Sequence, residues 1–142
     1  LLEKELFFRR IILERDFQAA PPTVRSDPAQ LRQVFQNLVA NAAAAVERNG
    51  RITLATVRTP QGLQVTVADT GPGIPPENLE RIFDPLFTTK KDGTGLGLPI
   101  CREILTRLGG RLEVACRPGA GAVFRVELPE RLTEVSERVG EG

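Results

Sequence analysis

Two asparagines have the residue type and spacing of a metal-binding pair. Asn37 and Asn41 lie four positions apart in NLVAN, so on a helix both amides share one face. Amide oxygens suit a hard cation such as Mg²⁺, which takes one or two protein ligands together with waters and phosphate oxygens. A solvated helix flank would also accept two polar side chains at this spacing, so the pair alone leaves both interpretations open.

A carboxylate followed by two glycines forms a second group. In ADTGPGI, Asp69 is followed by Gly71 and Gly73 directly after a predicted strand. An aspartate at this place often begins a turn. Alternatively, it accepts the exocyclic amine of a purine while the glycines allow the backbone to come close to the base. The stretch itself does not choose between these roles.

A segment rich in threonine, lysine and glycine forms the third group. Thr88, Thr89, Lys90 and Lys91 carry hydroxyl and ammonium donors of the kind that bind a triphosphate. The turn GTGLGL at residues 93–98 follows, and each glycine in regular structure costs roughly 0.5–1 kcal/mol relative to alanine. Close approach of the backbone to phosphates at a helix N-terminus would explain these glycines. A solvated basic loop before a helix is the alternative.

Composition excludes several kinds of site. The chain has 142 residues, 41% of them hydrophobic, which suits one globular domain. It has no histidine, so catalytic triads with histidine and His-ligated zinc are excluded. The net charge of +1, with acids and bases interspersed, indicates no nucleic-acid partner and no membrane contact by this chain. Cys101 and Cys116 lack CxxC spacing, and we expect reduced thiols in a cytoplasmic protein.

Strands and helices that would position these groups follow from hydrophobic periodicity and turn residues. A helix is predicted from Pro28, with Asp27 as its N-cap, and it carries both asparagines. A second helix is predicted at residues 98–108 and a short one at residues 77–83. The predicted strands are residues 11–17, 51–58, 62–69, 111–117 and 122–129, with hairpin turns at 59–62 and 118–121.

This order of elements predicts an α/β two-layer sandwich, in which helices cover one face of a mixed, mostly antiparallel sheet. GTGLGL lacks the strand–GxGxxG–helix context of a dinucleotide fold, and GxxxxGK[ST] is absent from the sequence. Residues 11–129 are predicted to form the domain. Because methionine is absent, we expect a piece of a larger protein, with residues 1–10 as the remnant of an upstream helical region. Residues 130–142 are expected to be a frayed, charged tail.

The motifs NLVANA, DTGPGI, IFDPLFTTK and GTGLGL, in this order, resemble the ATP-binding catalytic domain of sensor histidine kinases over residues 27–129. That family shares the Bergerat-type fold with gyrase-type topoisomerases, the ninety-kilodalton heat-shock chaperone and mismatch-repair ATPases. The short gap between PLFTTK and GTGLGL resembles the one found in kinases of the nitrogen-regulation and oxygen-sensing type. The resemblance implies a protein-histidine kinase that positions Mg²⁺ and ATP for transfer of the γ-phosphoryl group to a histidine.

That histidine would lie on a dimerisation domain of the same protein, which this chain lacks, so autophosphorylation of the chain alone is not expected. The implied partners are this domain in a homodimeric parent and a cognate response regulator. The parent would be cytoplasmic or anchored to a membrane through upstream segments. The alternatives are a nucleotide-sensing module without phosphotransfer and an ATPase of the same superfamily.

The resemblance also implies roles for individual residues. Asn41 would bind Mg²⁺, Asp69 would accept the adenine amine, and residues 90–97 would form a lid over the phosphates. Asn37 and Lys90 are the implied catalytic residues. ATPase members have a glutamate at the position of Asn37, and an amide cannot act as a general base, which favours transfer over hydrolysis. The implied ATP contacts are Asn37, Asn41, Ala45, Asp69, Gly71, Gly73, Ile74, Thr88, Thr89, Lys90, Gly93, Thr94, Gly95, Leu96, Gly97 and Leu98.

Three alanines depart from the pattern of the family. Ala44 stands where a basic residue often contacts phosphate, and Ala45 where an aromatic often stacks on adenine. Ala122 stands where a threonine commonly holds a water near the base. These differences bear on nucleotide affinity more than on family identity, and they leave open the alternative of a module without phosphotransfer.

Overall fold

A single sheet of five strands is present in the computed structural model, which describes residues 6, 10–17, 28–85, 87, 97–117 and 119–129. The strands are β1 (Ile12–Phe17), β2 (Arg51–Thr59), β3 (Gly62–Asp69), β4 (Arg111–Arg117) and β5 (Gly121–Pro129). Their order is β1-β2-β3-β5-β4; β1 is parallel to β2, and the other pairs are antiparallel. The predicted mixed, mostly antiparallel sheet and both predicted hairpins are therefore confirmed.

Two helices, α1 (Pro28–Val46) and α2 (Gly97–Arg107), cover one face of this sheet. Val34 and Leu38 on α1 and Leu105 on α2 have no exposed surface, because the apolar positions recur at helical spacing on the side that faces the sheet. Alternate residues of β3 and β5, such as Val67 and Phe124, complete the core from the sheet side. The two-layer α/β sandwich is confirmed.

The short helix predicted at residues 77–83 is present only at its start. A short 3₁₀ helix at Pro76–Asn78 is followed by turns, in which the Leu79 amide donates to Pro76 O at 3.3 Å. The Arg81 amide likewise donates to Asn78 O at 2.8 Å. Seven residues form too few hydrogen bonds to offset the cost of starting an α-helix.

Several predictions fall on residues outside the described part. These are Asp27, most of residues 1–10, the tail at 130–142 and, in the predicted site, Thr88, Thr89, Lys90, Gly93, Thr94, Gly95 and Leu96. Leu6 is described and is buried in the core, where its carbonyl accepts the Ile11 amide at 2.9 Å. No helix in the described ranges is both long and apolar enough to cross a membrane.

Candidate nucleotide-binding site

A buried carboxylate marks the end of β3. Asp69 is 7% exposed, and its Oδ1 accepts the backbone amide of Gly71 at 2.8 Å and that of Ala122 at 3.4 Å. Burial of a carboxylate is costly unless hydrogen bonds compensate for the lost water, and here two backbone amides contribute that compensation. The carboxylate is consequently held in one orientation, by the loop that follows it and by the start of β5.

The segment after Asp69, residues 70–75, is here called the nucleotide loop, and its glycines permit close packing. A Cβ added at Gly71 would lie 3.0 Å from the carbonyl oxygen of Ala45, so the loop lies directly against the last turn of α1. Gly73 has φ +83°, in the left-handed region that glycine adopts without strain. The two glycines of the predicted motif therefore shape the loop beside Asp69.

The hairpin formed by β4 and β5 also contacts the nucleotide loop. The Gly119 amide donates to Pro72 O at 3.0 Å. The Ile74 amide donates to Cys116 Sγ at 2.9 Å, and the thiol in turn donates to Ile74 O at 3.1 Å. Together with the Ala122 amide on Asp69, these contacts fix the loop along its length.

One face of α1 connects the loop to α2. Asn37, Asn41 and Ala45 follow each other at intervals of four and thus lie in a row on that face. Ala45 packs against Gly71 of the loop, while the Asn37 amide hydrogen-bonds to the thiol of Cys101 on α2. Asn41 lies between these two contacts, about 6 Å along the helix axis from each neighbour in the row.

The thiol of Cys101 is a protonated hydrogen-bonding group at neutral pH. It has no exposed surface and donates to Val34 O on α1 at 3.5 Å. Burial raises the pKa of the Cys101 thiol to about 11, and the hydrogen bond from the Asn37 amide opposes part of that rise. A buried thiol that keeps its proton is a poor nucleophile, so Cys101 is a hydrogen-bonding partner of Asn37.

The first turn of α2 contains the two predicted site residues of that helix that are described. Leu98 is half-buried and packs against the core. A Cβ added at Gly97 would meet no atom of the described residues within 4 Å. The amides of a first helical turn have no partner within the helix, which suits them to an anion.

Two arginines lie over the phenylalanines that precede the predicted lid. The Arg102 guanidinium of α2 lies 4.9 Å from the centre of the Phe83 ring, and that of Arg81 lies 4.6 Å from the Phe87 ring. Both rings also pack against the core. The chain is thereby fixed to α2 shortly before the lid residues begin.

The structure brings together one part of the predicted site. Around the nucleotide loop, α1 and the start of α2 it gathers Asn37, Asn41, Ala45, Asp69, Gly71, Gly73, Ile74, Gly97 and Leu98. The sequence did not indicate the contacts from Cys116, Cys101 and the Ala122 amide. They join residues 42, 67 and 53 positions apart, and no local pattern encodes them.

Comparison with known proteins identifies the family. Residues 26–132 match the model of the histidine kinase-, DNA gyrase B- and HSP90-like ATPases. Sporulation kinase C of Bacillus subtilis (strain 168) is 38% identical over 130 residues, which are 91% of this chain and 30% of that protein. This chain thus spans about a third of the length of that curated relative.

Solved structures agree with this result. The nucleotide-free catalytic domain of the histidine kinase ThkA superposes with a TM-score of 0.84 at 37% identity, over 92% of this chain and 86% of that chain. ThkA in complex with the response regulator protein TrrA gives 0.78 at 33% identity, over 91% and 37% of the two chains. The chain therefore belongs to the histidine kinase-, DNA gyrase B- and HSP90-like ATPase family, as an ATP-binding catalytic domain of the sensor histidine kinase type.

Proposed function

We propose that this chain binds ATP with Mg²⁺ and presents the γ-phosphoryl group to a histidine on a dimerisation domain of the same protein. The observation that carries the proposal is the buried, doubly hydrogen-bonded carboxylate of Asp69 beside the row of Asn37, Asn41 and Ala45 on α1. A fixed acceptor at one end and amide oxygens along the adjoining helix match a ligand with a base and a phosphate chain.

The base in this proposal is adenine. An ionised carboxylate only accepts hydrogen bonds, and adenine offers an amine at its N6 position. Guanine has a carbonyl oxygen at the equivalent position, which would face the carboxylate as acceptor against acceptor. Ala45, Ile74 and Leu98 supply the apolar surface for the ring in this arrangement, and Gly71 and Gly73 allow the loop to approach it.

The phosphates belong at the opposite end in this proposal. Among the described residues, no group of three His, Cys, Asp or Glu side chains could hold a metal by itself. A magnesium ion would therefore arrive with the triphosphate and take one amide oxygen from Asn41, which fits its preference for few protein ligands. The lid residues Thr88, Thr89, Lys90 and the segment 93–97 would enclose the phosphates, with Lys90 neutralising negative charge.

Transfer to a separate acceptor is favoured over hydrolysis. The Asn37 amide hydrogen-bonds to the protonated thiol of Cys101, and an amide has no basic site to activate a water molecule. In the transfer, a ring nitrogen of the acceptor histidine bonds to the γ-phosphorus while the bond to the bridging oxygen breaks and ADP leaves. The domain contributes position and charge stabilisation.

The rest of the signalling pathway extends the proposal to the whole protein. We infer a homodimeric parent that works in the cytoplasm and passes its phosphoryl group to a cognate response regulator. Support comes from the relative ThkA, whose structure was solved in complex with the response regulator protein TrrA. A dimerisation domain that carries the acceptor histidine is a partner that the chemistry needs, since this chain has no histidine.

Calorimetric titration of the 142-residue chain with ATP and GTP, with and without Mg²⁺, tests the nucleotide site. We expect ATP to bind, Mg²⁺ to strengthen the binding, and GTP to bind at least tenfold more weakly. Asp69→Asn should weaken ATP about tenfold or more, because it replaces the charged acceptor near the amine. Asp84→Asn, the same change at an exposed position, is the matched control. Equal affinities of Asp69→Asn and wild type for ATP would contradict the adenine role.

Phosphotransfer needs a separate assay. The chain is incubated with γ-labelled ATP and a histidine-bearing dimerisation domain from a relative such as sporulation kinase C. Label on that domain that is lost in acid and stable in base indicates phosphohistidine. The relative's own catalytic domain is assayed in parallel. If neither that domain nor this chain transfers label, the assay conditions have failed and are changed before the chain is judged. Tight binding with transfer only from the relative's domain would favour the nucleotide-sensing module.

A further inference from the structure

We propose that Cys116 is a positioning residue for the base: its thiol holds the nucleotide loop in the conformation that recognises adenine. Cys116 lies on β4 and does not belong to any motif of the predicted site. The inference rests on the proposed function, because it concerns how the same site selects its nucleotide.

A single thiol makes two hydrogen bonds of opposite polarity to one residue. Its sulfur accepts the Ile74 amide at 2.9 Å, and its proton is donated to Ile74 O at 3.1 Å. Cys116 thus pairs with both backbone polar groups of Ile74, much as a neighbouring strand would. Since Cys116 is half-buried, these groups lie where competition from water is reduced.

The contact between Cys116 and Ile74 is also one that a point mutation can remove selectively. Among the hydrogen bonds that the described residues of the hairpin make to Asp69 and the nucleotide loop, those of Gly119 and Ala122 use backbone amides of the hairpin. The contact to Ile74 uses a side chain. Its replacement therefore leaves the hydrogen bonds of the Gly119 and Ala122 amides and the pairing of β4 with β5 in place.

The consequence for recognition follows from the position of Ile74. This residue supplies apolar surface for the ring in the proposed site, and the loop that contains it begins at Asp69, the proposed partner of the amine. Without the thiol, the loop would have to be ordered when the nucleotide binds, and that ordering reduces affinity. The reduction should be largest for the base that the ordered loop fits.

The test compares Cys116→Ala, which removes both hydrogen bonds, with Cys116→Ser, which keeps one donor and two lone pairs. Val114→Ala is the matched control, because Val114 lies two residues earlier on the same face of β4. Calorimetry gives the Kd values for ATP and GTP, and denaturation gives the stability. With two hydrogen bonds lost, we expect Cys116→Ala to weaken ATP roughly tenfold and GTP less than twofold.

Rescue by serine and the control decide the outcome. Cys116→Ser should bind ATP within about twofold of wild type, and Val114→Ala should lose stability without a change in the ratio of the two Kd values. An unchanged ratio in Cys116→Ala, or an equal change in Val114→Ala, would overturn the inference. If wild type binds no ATP, the proposed function fails, and the inference about recognition fails with it.

Amide hydrogen exchange supplies a measurement that needs no nucleotide. In Cys116→Ala the Ile74 amide should exchange at least tenfold faster than in wild type, because its acceptor is gone, while the Gly71 amide stays protected by Asp69. Cys116→Ser should restore slow exchange at Ile74. Unchanged exchange of Ile74 in the alanine variant would show that the thiol does not hold the loop, whatever the nucleotide affinities.

Discussion

Gly121, the first residue of β5, and Gly119, in the turn between β4 and β5, allow a matched test of how the hairpin supports Asp69. Both have positive φ, +97° and +79°. A Cβ added at Gly119 would meet no described atom within 4 Å, whereas one at Gly121 would overlap the carbonyl oxygen of Asp69 and lie 2.9 Å from its carbonyl carbon. The pair therefore separates backbone strain from displacement of the carboxylate.

The expected magnitudes follow from this geometry. Gly119→Ala has only the cost of an alanine in the left-handed region, about 1–2 kcal/mol. Gly121→Ala has that cost and, because backbone cannot rotate away as a side chain can, a further 1–3 kcal/mol for overpacking. We thus expect the free energy of unfolding to fall by about 2–5 kcal/mol in Gly121→Ala, and ATP affinity to fall at least tenfold as Asp69 shifts.

The assay is denaturant unfolding of both variants, with ATP titration at a temperature where each is folded. Gly119→Ala should bind ATP like wild type, because its amide still donates to Pro72 O. Equal losses of stability in the two variants, or wild-type ATP affinity in folded Gly121→Ala, would refute the argument that β5 fixes the carboxylate.

Three further predictions concern the helices. Asn41→Ala should bind ATP equally with Mg²⁺ and with excess chelator, and a persistent Mg²⁺ effect in calorimetry would place the metal elsewhere. Asn37→Glu should add slow ATP hydrolysis, measured as phosphate release. Release no faster than in wild type would contradict the claim that the chain lacks hydrolysis because Asn37 cannot act as a general base. The folded Cys101 thiol, with a pKa of about 11, keeps its proton where the unfolded thiol, near 9.0, has lost it. Relative to Cys101→Ser, the free energy of unfolding of wild type should therefore be constant below about pH 9 and fall by about 2–3 kcal/mol towards pH 11. Denaturant unfolding of both proteins across this pH range measures the difference. A difference that stays constant up to pH 11 would contradict the prediction.

Periodicity and turn chemistry made most of the fold predictable. The apolar stripe of α1 and the residues at 59–62 and 118–121 are local signals, and they correctly predicted a helix and two hairpins. The segment at residues 77–83 misled because helix-forming residues alone cannot offset its short length. The pairing of β1 parallel to β2 was covered only by the expectation of a mixed sheet, since no turn links these strands.

The residues proposed for the site could be singled out from the sequence where side chains act, but not where backbone groups act. Asp69, Asn37 and Asn41 could be singled out because carboxylates and amides have recognisable chemistry. Ala122 was interpreted as the loss of a useful threonine, yet its amide hydrogen-bonds to Asp69. Any residue except proline supplies such an amide, so the residue type has no information about the contact.

The two ends of the proposed site are therefore supported in different ways. Asp69 and the nucleotide loop are held by the β4–β5 hairpin, which belongs to the core of the sheet. Asn37 is held instead by Cys101 on α2, the helix that directly follows the lid. A change in the hairpin should affect every adenine nucleotide alike, because ATP and ADP share the base. A change at the Asn37–Cys101 contact acts where the phosphates would lie and should alter the preference for ATP over ADP. In the proposed function, this arrangement would separate selection of the base from response to the γ-phosphate, which is the division that a kinase needs in order to bind its substrate and release its product.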